Sequence, residues 1–210
     1  MDLLRKISEE LQRGNYEQMP GFIQQALDAG MPASRILKEG LVFGMNVVGE
    51  QFQNDEIFLP DVLISAKAMH AGMTILRPKL MEAGVKLSGK VVMGTVKGDI
   101  HDIGKNLVAM LLEGAGYQVI DLGIDVSPEK FVDAVKSNKA DMVGLSALLT
   151  ITMPLMKEVI ESLQESGIRH TVKVLVGGAP VTEQFAREIG ADGYAPDAHT
   201  AVQKVRELIG

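Results

Sequence analysis

The chain has 210 residues, 46% hydrophobic and 23% charged, the balance of a compact folded protein with one large or two small domains. Its net charge of −6 argues against nucleic acid as a main partner, because phosphate binding calls for clustered Lys and Arg. The absence of Cys excludes disulfides, iron–sulfur clusters and thiolate metal sites, and apolar runs such as Asp141–Leu149 are too short to span a bilayer.

The opening stretch MDLLRKISEEL is charged and amphipathic, which predicts no signal peptide and a cytoplasmic protein. Leu3, Leu4, Ile7 and Leu11 fall at helical spacing, and Gly14-Asn15 stops that segment. Met19, Phe22, Ile23, Ala26 and Leu27 predict a second helix, ended by Gly30. A third runs from Pro32, a natural first-turn residue, through Leu41, Met45 and Val48 to Phe52. The fourth starts near Pro60 and carries Val62, Leu63, Ala66, Met69, Met73, Leu76 and Leu80. Four helices with short connections read as a small bundle over residues 1–87, followed by a linker at Val85–Lys90. The Met content, 12 residues against 4% aromatics, suits irregular interiors and surfaces that meet large apolar partners.

From residue 88 to 210 the pattern changes to strands alternating with helices. Val91–Val96, Tyr117–Leu122, Met142–Leu148, Lys173–Val176 and Ala191–Tyr194 read as strands. Helices are predicted near Lys105–Glu113, after Ser127-Pro128, and over Pro154–Ser166, Thr182–Ile189 and Asp197–Ile209. Five βα units predict an open, five-stranded parallel sheet with helices on both faces. Ligands of such sheets bind beyond the carboxyl ends of the strands, where strand order reverses. In a flavodoxin-like order 2-1-3-4-5, strands one, three and four are neighbours. Their loops are Lys97–Asn106, Ser146–Thr152 and Gly177–Pro180, and all three would then line one edge.

His101, one of four histidines, lies in the first of these loops with Asp99 two residues before it. A ligating His commonly gives its other ring N–H to a carboxylate, which fixes the tautomer. The plain alternatives are a loop His beside a solvated Asp, with Asp99 as N-cap of the next helix. With no second His or Cys nearby, and Asp102 a weak ligand, a zinc or iron site is disfavoured. A single His suits a metal that arrives with its other ligands in a macrocycle. Gly104, Gly177 and Gly178 would let backbone approach something bulky, or are ordinary turn and packing glycines. Ser146, Thr150 and Thr152 offer hydroxyls to a buried polar group, or cap the following helix. His70 would face the bundle or solvent, and His170 and His199 the surface.

Asp99-x-His101-x-x-Gly104, Ser146-x-Leu148 and Gly177-Gly178 together resemble the cobalamin-binding signature of the methionine synthase type. Gly44-Met45-Asn46-Val47-Val48-Gly49 and Phe58-Leu59-Pro60 are similar to the helical cap of the same proteins, so the resemblance spans nearly the whole chain. It implies a helical cap over 1–87 and a Rossmann-like cobalamin-binding domain over 88–210. The cofactor would be cobalamin or a related corrinoid, held base-off with His101 as the lower axial ligand of cobalt. Asp99 would hold the distal ring nitrogen of His101. Thr152 would stand where the family usually places a Ser as third relay member. Asp102, Gly104 and Leu148 belong to the same cofactor-binding blocks. Ser146 and Thr150 would contact the displaced nucleotide tail, and Gly177 and Gly178 would give it room. Phe52, Leu59 and Val62 would cover the upper cobalt face, although their periodicity alone reads as bundle core.

The chain has no room for folate, homocysteine or reactivation domains. It therefore resembles the corrinoid shuttle subunit of methanol, methylamine and methoxyarene methyltransferase systems. Such a carrier takes a methyl group from a substrate-specific methyltransferase and passes it to a second one using tetrahydrofolate or coenzyme M. A reductive activator protein is a further expected partner; no nucleic acid or membrane is. The alternatives are a cobalamin-dependent regulator, which needs a DNA-binding module, and a mutase subunit, which normally lacks the helical cap.

Overall fold

The computed structural model describes residues 3–84 and 87–210. Val85 and Lys86, which open the predicted linker Val85–Lys90, lie outside the described residues, and Lys90 already begins a strand. The chain divides into two compact units, Met1–Leu87 with Met110–Gly116, and Ser88–Ala109 with Tyr117–Gly210. This differs from a clean division near residue 88 by one segment. Met110–Gly116 groups with the helical unit because Gly114 lacks a Cβ just where the Met45 side chain lies.

The helical unit contains α1 (Leu3–Gln12), α2 (Met19–Asp28), α3 (Ala33–Arg35), α4 (Phe43–Gln53) and α5 (Leu59–Glu82). The apolar stripes read from the sequence are its core: Leu4, Ile7, Leu11, Ile23, Leu41, Val48, Met69 and Leu76 are all buried. The third predicted helix is one helical path in three parts, because a π-helical stretch, Ile36–Val42, joins α3 to α4. Pro32 is its N-cap, not its first turn. Small residues bring this path close to α1: a Cβ on Gly44 would meet the Ser8 main chain at 3.1 Å. At the start of α5 the Asp61 carboxylate accepts the Phe58 N–H at 2.9 Å, closing the first turn.

From residue 88 the chain runs β1 (Lys90–Thr95), α6 (Ile103–Gly114, grouped with the helical unit from Met110 on), β2 (Gln118–Asp121), α7 (Pro128–Asn138), β3 (Met142–Ser146), α8 (Pro154–Glu165), β4 (Lys173–Gly177), α9 (Glu183–Glu188), β5 (Gly193–Ala195) and α10 (Ala198–Ile209). All five strands are parallel, in the order β2-β1-β3-β4-β5. β1, β3 and β4 are continuous apolar runs because helices cover both faces. Phe131, Val92, Val143, Val174, Met156 and Ile160 fill one of these layers with almost no exposed surface. Burying a side chain such as Phe131 contributes roughly 1.5–3 kcal/mol. Gly94 makes room for it, since a Cβ there would lie 2.7 Å from the Phe131 ring.

Register aligns the carboxyl ends. Thr95 pairs with Ser146, Ser146 with Gly177, and Gly177 with Ala195. β3 stops at Ser146, two residues before its predicted end: the Ala147 N–H still reaches the Gly177 carbonyl, but those of Leu148 and Leu149 turn to a side chain on the β1 loop. β5 begins at Gly193, not Ala191, since the Asp192 side chain caps β4 by accepting the Val174 N–H at 2.7 Å. No described helix is long and apolar enough to cross a membrane.

Candidate corrinoid site

Beyond β1 the chain turns tightly at Val96–Asp99: the Asp99 N–H returns to the Val96 carbonyl at 3.1 Å, and Gly98 supplies the positive φ of 79° required at that corner. The turn drives the Asp99 side chain inward, where it has no exposed surface. Its two oxygens accept five hydrogen bonds. Oδ1 takes the His101 main-chain N–H at 3.1 Å and the His101 ring Nδ1 at 2.7 Å. Oδ2 takes the main-chain N–H groups of Leu148 and Leu149 at 2.8 and 3.2 Å and the Thr152 hydroxyl at 2.9 Å.

Burial pushes the Asp99 carboxyl up, but the bonds from His101, Leu148 and Thr152 outweigh it and hold the group well below the usual carboxylate range. An ionised Asp99 can only accept, so Nδ1 of His101 carries a proton, and in the neutral ring this leaves the lone pair on Nε2. The His101 side chain is 46% exposed, so that nitrogen is reachable. Thr152 is buried, with the Leu149 carbonyl a second acceptor at 2.9 Å; its single proton goes to the charged oxygen. Among the described residues no three His, Cys, Asp or Glu side chains form a metal-holding group, and His101 stands as a lone nitrogen donor.

The structure therefore brings Asp99, His101, Thr152 and the Leu148 main chain into one network. Asp99 is not the N-cap of α6. Asp102 holds that place, accepting the Asn106 N–H on its carbonyl at 2.8 Å and the Asn106 side chain on its carboxylate at 3.0 Å. Ser146 ends β3, half-buried between Thr95 and Gly177, and Thr150 is exposed in the loop beyond. Gly104 sits exposed in the first turn of α6, and a Cβ there would meet nothing within 4 Å. The other glycines answer to backbone packing. A Cβ on Gly178 (φ 132°) would fall onto the Ala147 carbonyl, and one on Gly177 would lie 2.9 Å from the Ala195 carbonyl. Phe52, Leu59 and Val62 belong to the helical unit: Phe52 and Leu59 are half-buried, and Val62 is fully buried.

Sequence reasoning missed two features. The Leu149 N–H is invisible to it, being main chain. Exposed apolar side chains also gather on the carboxyl-edge loops, where Ile100 (70% exposed), Ile103 (73%) and Ile151 (78%) join Ile124, Leu148 and Leu149. The available signal was isoleucine on both sides of His101-Asp102, in a loop where polar residues would otherwise be expected.

Two matches to a family described as B12 binding domain cover residues 89–203 and 3–77. A corrinoid protein of Desulfitobacterium hafniense is 43% identical over 100% of this chain and 99% of its own. The chain belongs to the corrinoid proteins. A dimethylamine corrinoid protein of Methanosarcina acetivorans is 44% identical over 99% of this chain and 96% of its own length. Among solved structures, the methanol:cobalamin methyltransferase complex of Methanosarcina barkeri contains a chain with TM-score 0.88 and 34% identity, covering 99% of this chain and 79% of that one. The cofactor of this corrinoid protein is cobalamin or a close relative. The residues present would suit such a group, which calls for a nitrogen donor, apolar contact and an unobstructed surface. His101, the isoleucine rim and the bare Cα of Gly104 provide them.

Proposed function

We propose that this corrinoid protein is a methyl carrier in which His101 is the only protein ligand to cobalt, the cofactor's own base being displaced. The observation that carries this reading is the Asp99–His101 bond of 2.7 Å, within a carboxylate that four further donors hold ionised. Bound there, the corrinoid supplies a cobalt atom that accepts a methyl group from one partner and yields it to another. The protein's own part is positional. Asp99 fixes the His101 tautomer and makes its Nε2 a better donor, and Thr152 completes the relay behind it. Ser146 and Thr150 serve the displaced nucleotide tail, beside the narrow backbone of Gly177 and Gly178. The cap role falls to the helical unit, residues 1–87, with the half-buried Phe52 and Leu59 as its residues for the reactive face. Val62, having no exposed surface, contributes packing behind them.

The relative found in a methanol:cobalamin methyltransferase complex supports a substrate-specific methyltransferase as the first partner. A second methyltransferase, using tetrahydrofolate or coenzyme M, would take the methyl group, and a reductive activator would rescue oxidised cobalt. The test is the visible spectrum of the purified protein mixed with hydroxocobalamin, beside that of His101→Ala. Tight binding with a His-ligated, base-off spectrum that His101→Ala loses is the expected result. Binding with an unchanged spectrum in the variant would remove the axial-ligand assignment, and no binding would overturn the reading.

A further inference from the structure

Thr95 is the last residue of β1, the one fully buried polar side chain in a strand that otherwise reads Lys90-Val-Val-Met-Gly, and it has no exposed surface. Its main chain is fully engaged, the N–H with the Gly123 carbonyl and the carbonyl with the Val126 N–H, both at 3.0 Å. Its hydroxyl points the other way and donates to the main-chain carbonyl of His101 at 2.8 Å. The α6 hydrogen-bond ladder does not take that carbonyl, since it begins one residue later, with the Asn106 N–H on Asp102. A valine would match the shape and suit the company of Val91 and Met93, the buried residues on the same face of β1, so packing alone does not call for a hydroxyl there.

We infer that Thr95 is a positioning residue: its hydroxyl anchors the His101 main chain to the end of β1 and so keeps the imidazole Nδ1 on Asp99 with Nε2 outward. The ring bond to Asp99 spans only two residues and by itself leaves the loop free to pivot about the carboxylate. The Thr95 bond ties the carbonyl side of the same residue to the sheet, six residues back. Held at the ring and the N–H by Asp99 and at the carbonyl by Thr95, His101 is fixed before any cofactor arrives. This inference rests on His101 as cobalt ligand only for its consequence in the loaded protein.

The experiment uses the full chain with Thr95→Val, Thr95→Ser and His101→Ala. In the cofactor-free protein, nitrogen NMR of the His101 ring reads the tautomer directly. The unmodified protein and Thr95→Ser should show one Nδ1–H form, and Thr95→Val a mixture, with the held form reduced about tenfold relative to the others. After addition of hydroxocobalamin, the ratio of His-ligated to His-off absorption should fall in Thr95→Val and be restored in Thr95→Ser. Should the valine methyl prevent folding, Thr95→Ala, which is smaller than the pocket, repeats both measurements. A Thr95→Val ring that keeps a single Nδ1–H form overturns the inference, and so does equal impairment of the serine and valine variants. If His101→Ala leaves the spectrum of the loaded protein unchanged, the axial-ligand reading fails, and the cofactor-free ring signal alone decides the role of Thr95.

Discussion

Replacing Asp99 with Asn keeps the shape of the side chain and removes its charge. The carboxylate accepts five bonds of 2.7–3.2 Å, two on Oδ1 and three on Oδ2. An amide has one accepting oxygen. Placed toward Leu148, Leu149 and Thr152, that oxygen keeps three donors satisfied, and the NH2 group then faces the His101 main-chain N–H and ring. Two bonds to a charged acceptor are lost, each about 1.5–3 kcal/mol, partly offset because a charge is no longer buried. The reverse orientation leaves two main-chain N–H groups and a hydroxyl against an NH2 group, which is worse. The expected loss of stability is roughly 3 kcal/mol, read from urea unfolding of the cofactor-free protein. The NH2 group also donates to Nδ1, so the ring proton moves to Nε2 and the nitrogen proposed to meet cobalt is blocked. Asp99→Asn should therefore bind hydroxocobalamin without the His-ligated spectrum. A variant that loses less than about 1 kcal/mol and keeps that spectrum would refute the claim that this carboxylate governs His101.

Three further outcomes follow from the same geometry. Gly104→Ala places a methyl group in open space on a helix, so the cofactor-free protein should be unchanged or up to about 1 kcal/mol more stable. Its affinity for hydroxocobalamin should nevertheless fall; undiminished binding in a titration would show that this surface is not used. Gly178→Ala combines a φ of 132° with a collision against the Ala147 carbonyl and should cost about 3 kcal/mol or more, seen as a lowered thermal midpoint. The pH dependence has a fixed sign. Because the folded-state pKa of Asp99 is depressed, the unfolded chain binds the extra proton, and the group's contribution is complete above the ordinary Asp pKa of about 4. It is lost as pH falls below that value and through the lower folded one. The stability gap between the unmodified protein and Asp99→Asn should thus be flat from about pH 5 to 7 and shrink below about pH 4, in urea series at each pH.

The strands were legible because those buried on both faces of a parallel sheet leave unbroken apolar runs, as in Val91–Val96 and Met142–Leu145, with glycine and proline between them; their order was supplied by the fold they suggested. The pairing of Asp99 with His101 was legible from side-chain chemistry and spacing, and Thr152 joined them only through the family resemblance. What escaped was main chain. Leu148 and Leu149 contribute N–H groups whose donors exist in every residue, so nothing in their side chains marks them. The π-helical stretch Ile36–Val42 escaped for a similar reason, since a wider turn preserves an apolar face over so short a span. Asp99 and Asp102 are chemically identical, and only the turn at Gly98, which sends one inward, decides which caps α6. Gly177 and Gly178 show the opposite case: the residue type was noticed, but its first cause is the neighbouring Ala195 and Ala147 carbonyls.

The histidine depends on the crossover in the sheet. Asp99 follows β1, while three of its donors follow β3, 49 to 53 residues later in the chain. They meet because β3 lies directly beside β1 and β2 is sent to the other side. Neighbouring strands are about 4.8 Å apart, a distance that one side chain and one main-chain N–H can bridge. Were the order sequential, β2 would stand between them and double the separation to about 10 Å, beyond the reach of any direct hydrogen bond. Asp99 would then keep only its two bonds to His101 while still leaving water. Such a carboxylate would lose most of what holds it ionised, and with it the ability to hold the imidazole proton on Nδ1. The reversal of strand order thus does more than open a crevice for a ligand: it supplies the donors that hold Asp99 ionised and so give His101 a defined tautomer.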